Sequence, residues 1–347
     1  MNRPAAGRIL VMRYRFIGDT LLTVPFLRNL RAAYPEAQID MLVGPGSGEV
    51  LSACPYLDER LVFDTTRKHR YENTGDHPPT SFWAYARLLK HRQYDLAFVL
   101  KRSFSSAALA LLAGIPRRVG FNTEGRGLLL TDRAPYDPTQ PEVESFLSVL
   151  SCVDIPVTDR HLEAWWPPAD GARTAEALAP YTGTNWLLHL SASNPGKQWP
   201  AAHAAELAQR LLNDDPQLTL HALGDARDQP VYETLRQALS PSLADRLISW
   251  CGRWTLSESL AFISQLDGAV GVDSGTLHMA AACGVPVVAL FGPMDARKWA
   301  PPGARVIKTE LACQPCGLKR PCRFDFECMR ALTPQEVLTA CHTHLRP

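Results

Sequence analysis

Asp19 stands where a fold of the nucleotide-binding type would ordinarily keep acid out. Residues 8–12, RILVM, read as a short apolar strand, and Leu21, Leu22, Val24, Leu27 and Leu30 recur at roughly helical spacing behind it. A strand, a glycine turn and a helix usually cradle a phosphate on exposed N–H groups. Here the turn offers Gly18 and then a carboxylate. The nearest structural use for Asp19 is a helix cap. Elsewhere in this half, Lys101, Arg102 and Ser103 follow the apolar run LAFVL, and RKHR (Arg67 to Arg70) forms a second basic cluster before a long loop. The first half therefore presents a carboxylate and cations, and no phosphate loop.

The second half is loaded differently. After NWLLHL comes SASNPGKQWP, with Ser191, Ser193, Asn194 and Lys197 among small turn-forming residues. Exposed N–H groups beside a lysine suit a diphosphate, although no P-loop or dinucleotide fingerprint is present. After LTLHAL comes Asp225, placed to accept from ribose hydroxyls or to cap the next helix. After GAVGV comes DSGTLHMAAACG, in which Asp273, Ser274, Gly275 and Thr276 crowd a helix start and His278 lies in its first turn. The positive end of that helix favours an anion.

Cys313, Cys316, Cys322 and Cys328 form C-x2-C-x5-C-x5-C. Four thiols at this spacing suggest a structural thiolate site for zinc or iron; unrelated thiols in a loop are the alternative. Cys54, Cys152, Cys251, Cys283 and Cys341 read as ordinary small residues.

These residues need elements to position them. In the first half, strands are expected at 8–12, 38–43, 61–63, 96–100 and 118–120, with helices at 21–34, 82–91, 105–113 and 143–152. The alternation restarts at NWLLHL and continues to PVVALF. Each half reads as an α/β, doubly wound parallel sheet. The boundaries expected are 1–165 for the first domain, 166–182 for a proline-rich linker, 183–332 for the second domain and 333–347 for a closing helix. In that helix Thr333 caps, Pro334 begins and Glu336 completes a capping box. Two such domains would face a central cleft, with ligands at the carboxyl ends of the strands.

Composition narrows the class. The 347 residues are 46% hydrophobic and 20% charged, which is ordinary for a globular chain. A net charge of +1 argues against a nucleic-acid partner. The first residues contain no apolar stretch of the secretory type, and no run approaches a membrane span, since Pro286 divides MAAACGVPVVALFG. The expected location is the cytoplasm, where the nine cysteines are thiols or metal ligands.

The chain resembles the heptosyltransferases of glycosyltransferase family nine. The resemblance lies in ILVMRYRFIGDTLLTVPFLRNLRAAYPEAQIDMLV, GKQWP, GVDSGTLHMAAACGVPVVALFGPMD and CQPCGLKRPCRFDFECM, in the family's order across nearly the whole chain. It implies a GT-B architecture, two Rossmann-like domains with the donor in the second. It implies an inverting transfer of L-glycero-D-manno-heptose from an ADP-sugar donor to a lipid-linked core oligosaccharide of lipopolysaccharide, at Kdo or heptose, without a catalytic metal. Asp19 matches the catalytic base and Lys197 the lysine that neutralises the leaving ADP. Asp273 and His278 match donor-site positions, and Asp225 an acidic ribose contact. Lys101, Arg102 and Ser103 are expected on the acceptor side. Many relatives carry a similar cysteine cluster. A lipid-linked acceptor implies peripheral contact with the cytoplasmic face of the inner membrane. A protein O-heptosyltransferase, another GT-B enzyme such as an epimerase, and a non-catalytic binding protein are the competing classes; Asp19, Lys197, Asp273 and His278 together argue against the last.

Overall fold

Apolar runs rich in β-branched residues form the strands, and amphipathic segments between them form the covering helices. A computed structural model describes residues 5–64 and 81–345; the basic cluster Arg67 to Arg70 lies outside the described residues. The chain divides into two units, Met1–Leu162 and Glu163–Pro347.

The first unit contains β1 (Arg8–Met12), α1 (Ile17–Leu21), α2 (Val24–Ala33), β2 (Gln38–Val43), β3 (Glu59–Val62), α3 (Phe82–Arg92), β4 (Leu96–Val99), α4 (Phe104–Leu112), β5 (Arg117–Phe121), β6 (Asp132–Ala134) and α5 (Glu142–Ser148). Its sheet runs β3-β2-β1-β4-β5-β6 with every pair parallel. Side chains alternate across it. Leu10, Met12, Leu42, Ala97 and Val99 join Leu89 of α3 and Leu109 of α4 in one buried cluster. On the opposite face Phe98 meets Phe26 of α2, ring centroids 5.1 Å apart.

The second unit contains α6 (Pro168–Leu178), β7 (Asn185–His189), α7 (Ala201–Asp214), β8 (Thr219–Ala222), α8 (Gln229–Gln237), α9 (Pro241–Ala244), β9 (Leu247–Ser249), α10 (Leu256–Ile263), β10 (Gly268–Val272), α11 (Gly275–Ala282), β11 (Val287–Phe291), α12 (Ala296–Trp299), β12 (Arg305–Lys308), α13 (Glu327–Arg330) and α14 (Pro334–His344). Its sheet, β12-β11-β10-β7-β8-β9, is again parallel throughout. Trp186, Leu188, Leu220, Val270 and Leu290 meet Leu211 of α7 and Val337 of α14 in one buried cluster. Thr333 and Glu336 form the capping box of α14.

Three features differ from expectation. The helix expected over 21–34 runs from Val24 to Ala33 as α2, and a separate short helix, α1, precedes it at Ile17–Leu21; Pro25 in the first turn of α2 lacks the N–H that would join the two. Residues 166–182 contain α6, which belongs to the second unit. Its Arg173 donates to Glu258 at 2.5 Å, Ser257 donates to its Asp170 at 2.6 Å, and Gln265 to its Thr174 at 2.9 Å. The prolines before it open a helix. The edge strands β6 and β12 are short: β6 is mostly polar, and β12 has only Val306 and Ile307 between charged ends.

Candidate functional site

In each sheet the strand order reverses once, and a crevice opens beyond the carboxyl ends of the two strands flanking that point. In the first sheet these are β1 and β4. Asp19 and its neighbours follow β1; Lys101, Arg102 and Ser103 follow β4. In the second sheet they are β7 and β10. Ser191 to Lys197 follow β7, and Asp273 to His278 follow β10.

At the first switch point Asp19 is the third residue of α1 and does not cap it. Its carboxylate takes a short ion pair from Arg13, and both side chains are buried. Arg13 also lies over the ring of Phe146, 5.7 Å from its centroid. The turn into α1 is strained: Phe16 has φ 61°, rare for a bulky residue, and its ring is 57% exposed. Arg102 donates to buried Glu142 at 2.5 Å and stands 4.4 Å from the centroid of Tyr136. Burial pushes the Glu142 carboxyl up, Arg102 and Arg13 oppose this, and the Asp19 charge adds to it. Two carboxylates and two guanidinium groups thus form one electrostatic cluster. Ser103 is used locally: it caps α4 by accepting from the Ser106 N–H and shares a 2.5 Å hydroxyl contact with Ser106, which in turn meets the Tyr14 hydroxyl at 2.5 Å. Lys101 lies over the Tyr14 ring.

Arg126 was not marked by its sequence neighbours. It is 1% exposed, donates one N–H to Glu124 at 2.6 Å, and leaves Nε and Nη1 without a hydrogen-bond partner in the described structure. Burial lowers its pKa, and the Arg102 charge lowers it further. A buried guanidinium with open donors beside a second arginine is a site for an anion.

At the second switch point the two loops meet. Lys197 Nζ lies 2.7 Å from Asp273 Oδ2. The strands bearing them pack tightly, since a Cβ on Gly271 would fall 2.1 Å from the His189 carbonyl oxygen. Asn194 accepts from the Gly196 N–H at 3.0 Å and so shapes the turn that presents Lys197. Ser274 precedes α11 without capping it, and its buried Oγ has no partner. The first N–H groups of α11, at Gly275 and Thr276, therefore remain available beside a lysine and a free hydroxyl. Ser191 and His278 are buried here, and Ser193 is exposed. Asp225 is engaged locally. It caps a short turn by accepting from the Arg227 N–H at 2.7 Å and pairs with the Arg227 guanidinium, which holds its carboxyl below the usual range.

The cysteine segment departs from expectation. Among the described residues no three His, Cys, Asp or Glu side chains are grouped to hold a metal, so the zinc or iron site expected at Cys313, Cys316, Cys322 and Cys328 finds no support. Cys313 and Cys316 are exposed; Cys328 is buried, and burial with the charges of the other three thiols pushes it up to about 11. Cys322 Sγ accepts from the Phe326 N–H at 3.3 Å. The segment instead forms a wall: a Cβ on Gly196 would lie 2.5 Å from the Phe326 ring and 3.1 Å from Leu318, directly behind Lys197.

Residues 82–326 match glycosyltransferase family 9 (heptosyltransferase). Lipopolysaccharide heptosyltransferase 2 of Salmonella typhimurium is 28% identical over 97% of this chain and 98% of its own length. Its Escherichia coli counterpart is 29% identical over 87% and 88%. The solved structure of E. coli ADP-heptose lipopolysaccharide heptosyltransferase II matches with a TM-score of 0.75 at 25% identity, covering 97% and 98% of the two chains. A family 9 glycosyltransferase from Veillonella parvula shares the fold, with a TM-score of 0.82 at 20% identity over 97% and 96%. By family match, by relatives aligned end to end, and by its two parallel six-stranded sheets of GT-B type, this chain belongs to glycosyltransferase family 9 and is a glycosyltransferase.

Proposed function

We propose that the enzyme moves a heptose from ADP-L-glycero-D-manno-heptose to an inner-core acceptor of lipopolysaccharide, Kdo or heptose, with inversion. The observation that carries this reading is the cationic cradle at the second switch point, where Lys197, the free Ser274 hydroxyl and the open N-terminus of α11 converge. A diphosphate there would exchange one anionic partner of Lys197, the Asp273 carboxylate, for another. The named activities of the relatives, lipopolysaccharide heptosyltransferases, support the choice of sugar and acceptor class.

In this scheme the second unit holds the donor and the first the acceptor. The acceptor hydroxyl loses its proton to Asp19, and its oxygen attacks the anomeric carbon through an oxocarbenium-like state. The bond from that carbon to the diphosphate oxygen breaks, and its electron pair leaves with ADP. Lys197 and the α11 N-terminus stabilise the charge that develops there. Arg13, through its ion pair, holds the Asp19 carboxylate in place. Arg102 and Arg126 meet anionic groups of the acceptor, with Lys101 at their edge. His278 shapes the donor pocket.

Incubating purified enzyme with the ADP-sugar and a core-truncated lipopolysaccharide should release ADP and add one heptose mass to the acceptor. An altered sugar in the absence of acceptor would point to an epimerase, and a modified polypeptide to a protein O-heptosyltransferase.

A further inference from the structure

We propose that Phe16 is a specificity-determining residue, an aromatic platform on which a sugar ring of the acceptor stacks beside Asp19. The proposal rests on the reading of Asp19 as the acceptor-side base. It deepens that reading by naming what the first unit recognises: the apolar face of a pyranose, and not a polypeptide hydroxyl.

The fold asks for a different residue at this position. Phe16 has φ 61° and ψ 131°. Gln93, Asp154 and Phe326 also have positive φ, but ψ values of 55°, 35° and 37° keep them in the left-handed helical region. Phe16 lies outside that region, where a Cβ crowds the backbone and glycine is the residue without strain. Burial of the ring would offset the strain, yet the residue is 57% exposed. The hydrogen bonds that shape the turn do not use the ring either. The Phe16 carbonyl accepts from the Thr20 N–H at 3.0 Å and from the Thr20 hydroxyl at 2.9 Å, and any residue supplies that oxygen. The core beneath is made by Leu21 and Leu22, both buried. An exposed aromatic side chain held on a strained backbone is the mark of a site.

Its place limits what it can touch. Phe16 opens the turn of α1 that carries Asp19 three residues on, so ring and carboxylate share one helical turn. Asp19 is buried with Arg13, whereas the ring reaches solvent. The Arg15 guanidinium lies 5.2 Å from the ring centroid, a cation–π contact that restricts how the ring swings. A pyranose fits this chemistry. Its hydroxyls lie around the rim, and C–H groups cover much of one face. The negative face of an aromatic ring attracts those C–H groups. A sugar stacked on Phe16 keeps a rim hydroxyl free to meet Asp19 and fixes its approach. A serine or threonine on a flexible polypeptide offers no such face.

The test measures binding and transfer separately, with delipidated, core-truncated lipopolysaccharide as the acceptor. Phe16→Gly and Phe16→Ala should each raise the acceptor KM by about tenfold, and weaken donor-free binding of that acceptor in calorimetry by a similar factor. The loss should lie in KM rather than kcat, with ADP affinity unchanged, and Phe16→Tyr should restore acceptor binding. The two truncations should part in thermal melts. Phe16→Gly should melt at or above wild type, because it removes the strain, and Phe16→Ala should melt below Phe16→Gly, because its methyl retains it. A ring that only holds α1 in place would lower the melting temperature and kcat in Phe16→Gly, and that result would overturn the proposal. So would a Phe16→Tyr as weak as the truncations. Transfer by wild type that Phe16→Gly leaves unaltered would remove the platform and leave the reaction standing. Acceptor binding lost in Phe16→Gly, with no heptose transfer by wild type, would remove the reaction and leave the platform standing. Wild type that neither binds nor glycosylates this acceptor would overturn both.

Discussion

Lowering the pH should destabilise the second unit through His221, a buried residue apart from the proposed site. Trp250 Nε1–H donates to His221 Nδ1 at 3.0 Å, and an indole nitrogen can only donate. The proton of the neutral ring therefore sits on Nε2 and points to Asn185 Oδ1 at 2.8 Å. Asn185 spends its own N–H groups on the Tyr181 and Gly183 carbonyls, which fixes Oδ1 as the acceptor. Rings of Tyr181, Trp250 and Phe262 surround the imidazole. A second proton would face the Trp250 donor with no acceptor in reach, and burial lowers the pKa from 6.5 to about 4.

The unfolded chain thus takes up this proton near pH 6.5, while the folded chain resists it until about pH 4. Stability from this residue is complete above the unfolded value and is lost as pH falls between the two. At about 1.36 kcal/mol per pKa unit the loss is on the order of 3 kcal/mol, or roughly 2–4 °C of melting temperature for each kcal/mol in a unit of this size. Burial lowers the pKa of His189 too, so wild type alone does not isolate the effect. The comparison is with His221→Gln, which can donate to Asn185 and accept from Trp250 at every pH. Urea unfolding followed by tryptophan fluorescence from pH 8 to 4 should show a steeper loss in wild type, with the difference confined below about pH 6.5. Parallel stability curves for the two proteins would refute the reasoning.

Asp19→Asn should lower kcat by about 10²–10⁴-fold with ADP affinity nearly unchanged, as measured by single-turnover kinetics and calorimetry; near-normal turnover would remove Asp19 as the base. Lys197→Met should weaken ADP binding and lower kcat by roughly 10²-fold, and adding Asp273→Asn should recover stability but not rate, because the single change leaves a buried carboxylate unpaired. Gly196→Ala forces a Cβ against the Phe326 ring, so the donor KM should rise and stability should fall by about 1–3 kcal/mol; Phe326→Ala in the same chain should restore both. Cys313→Ser with Cys316→Ser, both exposed, should shift stability by less than about 0.5 kcal/mol in thermal melts; a large fall accompanied by one lost metal per chain would show that the four thiols do assemble.

Much of the scaffold is local and is written locally. Strands β1, β4, β7 and β10 are short apolar runs bounded by turn residues, and α14 carries its start in Thr333, Pro334 and Glu336. Asp19 and Lys197 stand out because each is a charged residue just beyond an apolar strand. Proline misleads when read alone: the same residues that suggested a linker at 166–182 open α6, because a missing N–H costs nothing in the first turn. The edge strands β6 and β12 are short and carry charged residues, since each has only one neighbouring strand and less to bury.

What the sequence does not contain is adjacency. Lys197 and Asp273 are far apart in the chain and meet because β7 lies beside β10 in the sheet, an order set by how the crossover helices pack. The burial of Arg126, a residue in a glycine-rich turn, follows from the elements folded over it. The cysteine spacing suggests a metal, yet no metal-binding group is found among the described residues: Cys313 and Cys316 face solvent, the Cys322 sulfur accepts from a backbone N–H, and Cys328 is buried within reach of the other three thiols' charge. Strand signals depend on residues a few positions apart, whereas strand order, burial and the meeting of side chains depend on contacts between distant segments. Those contacts exist only once the sheet has closed.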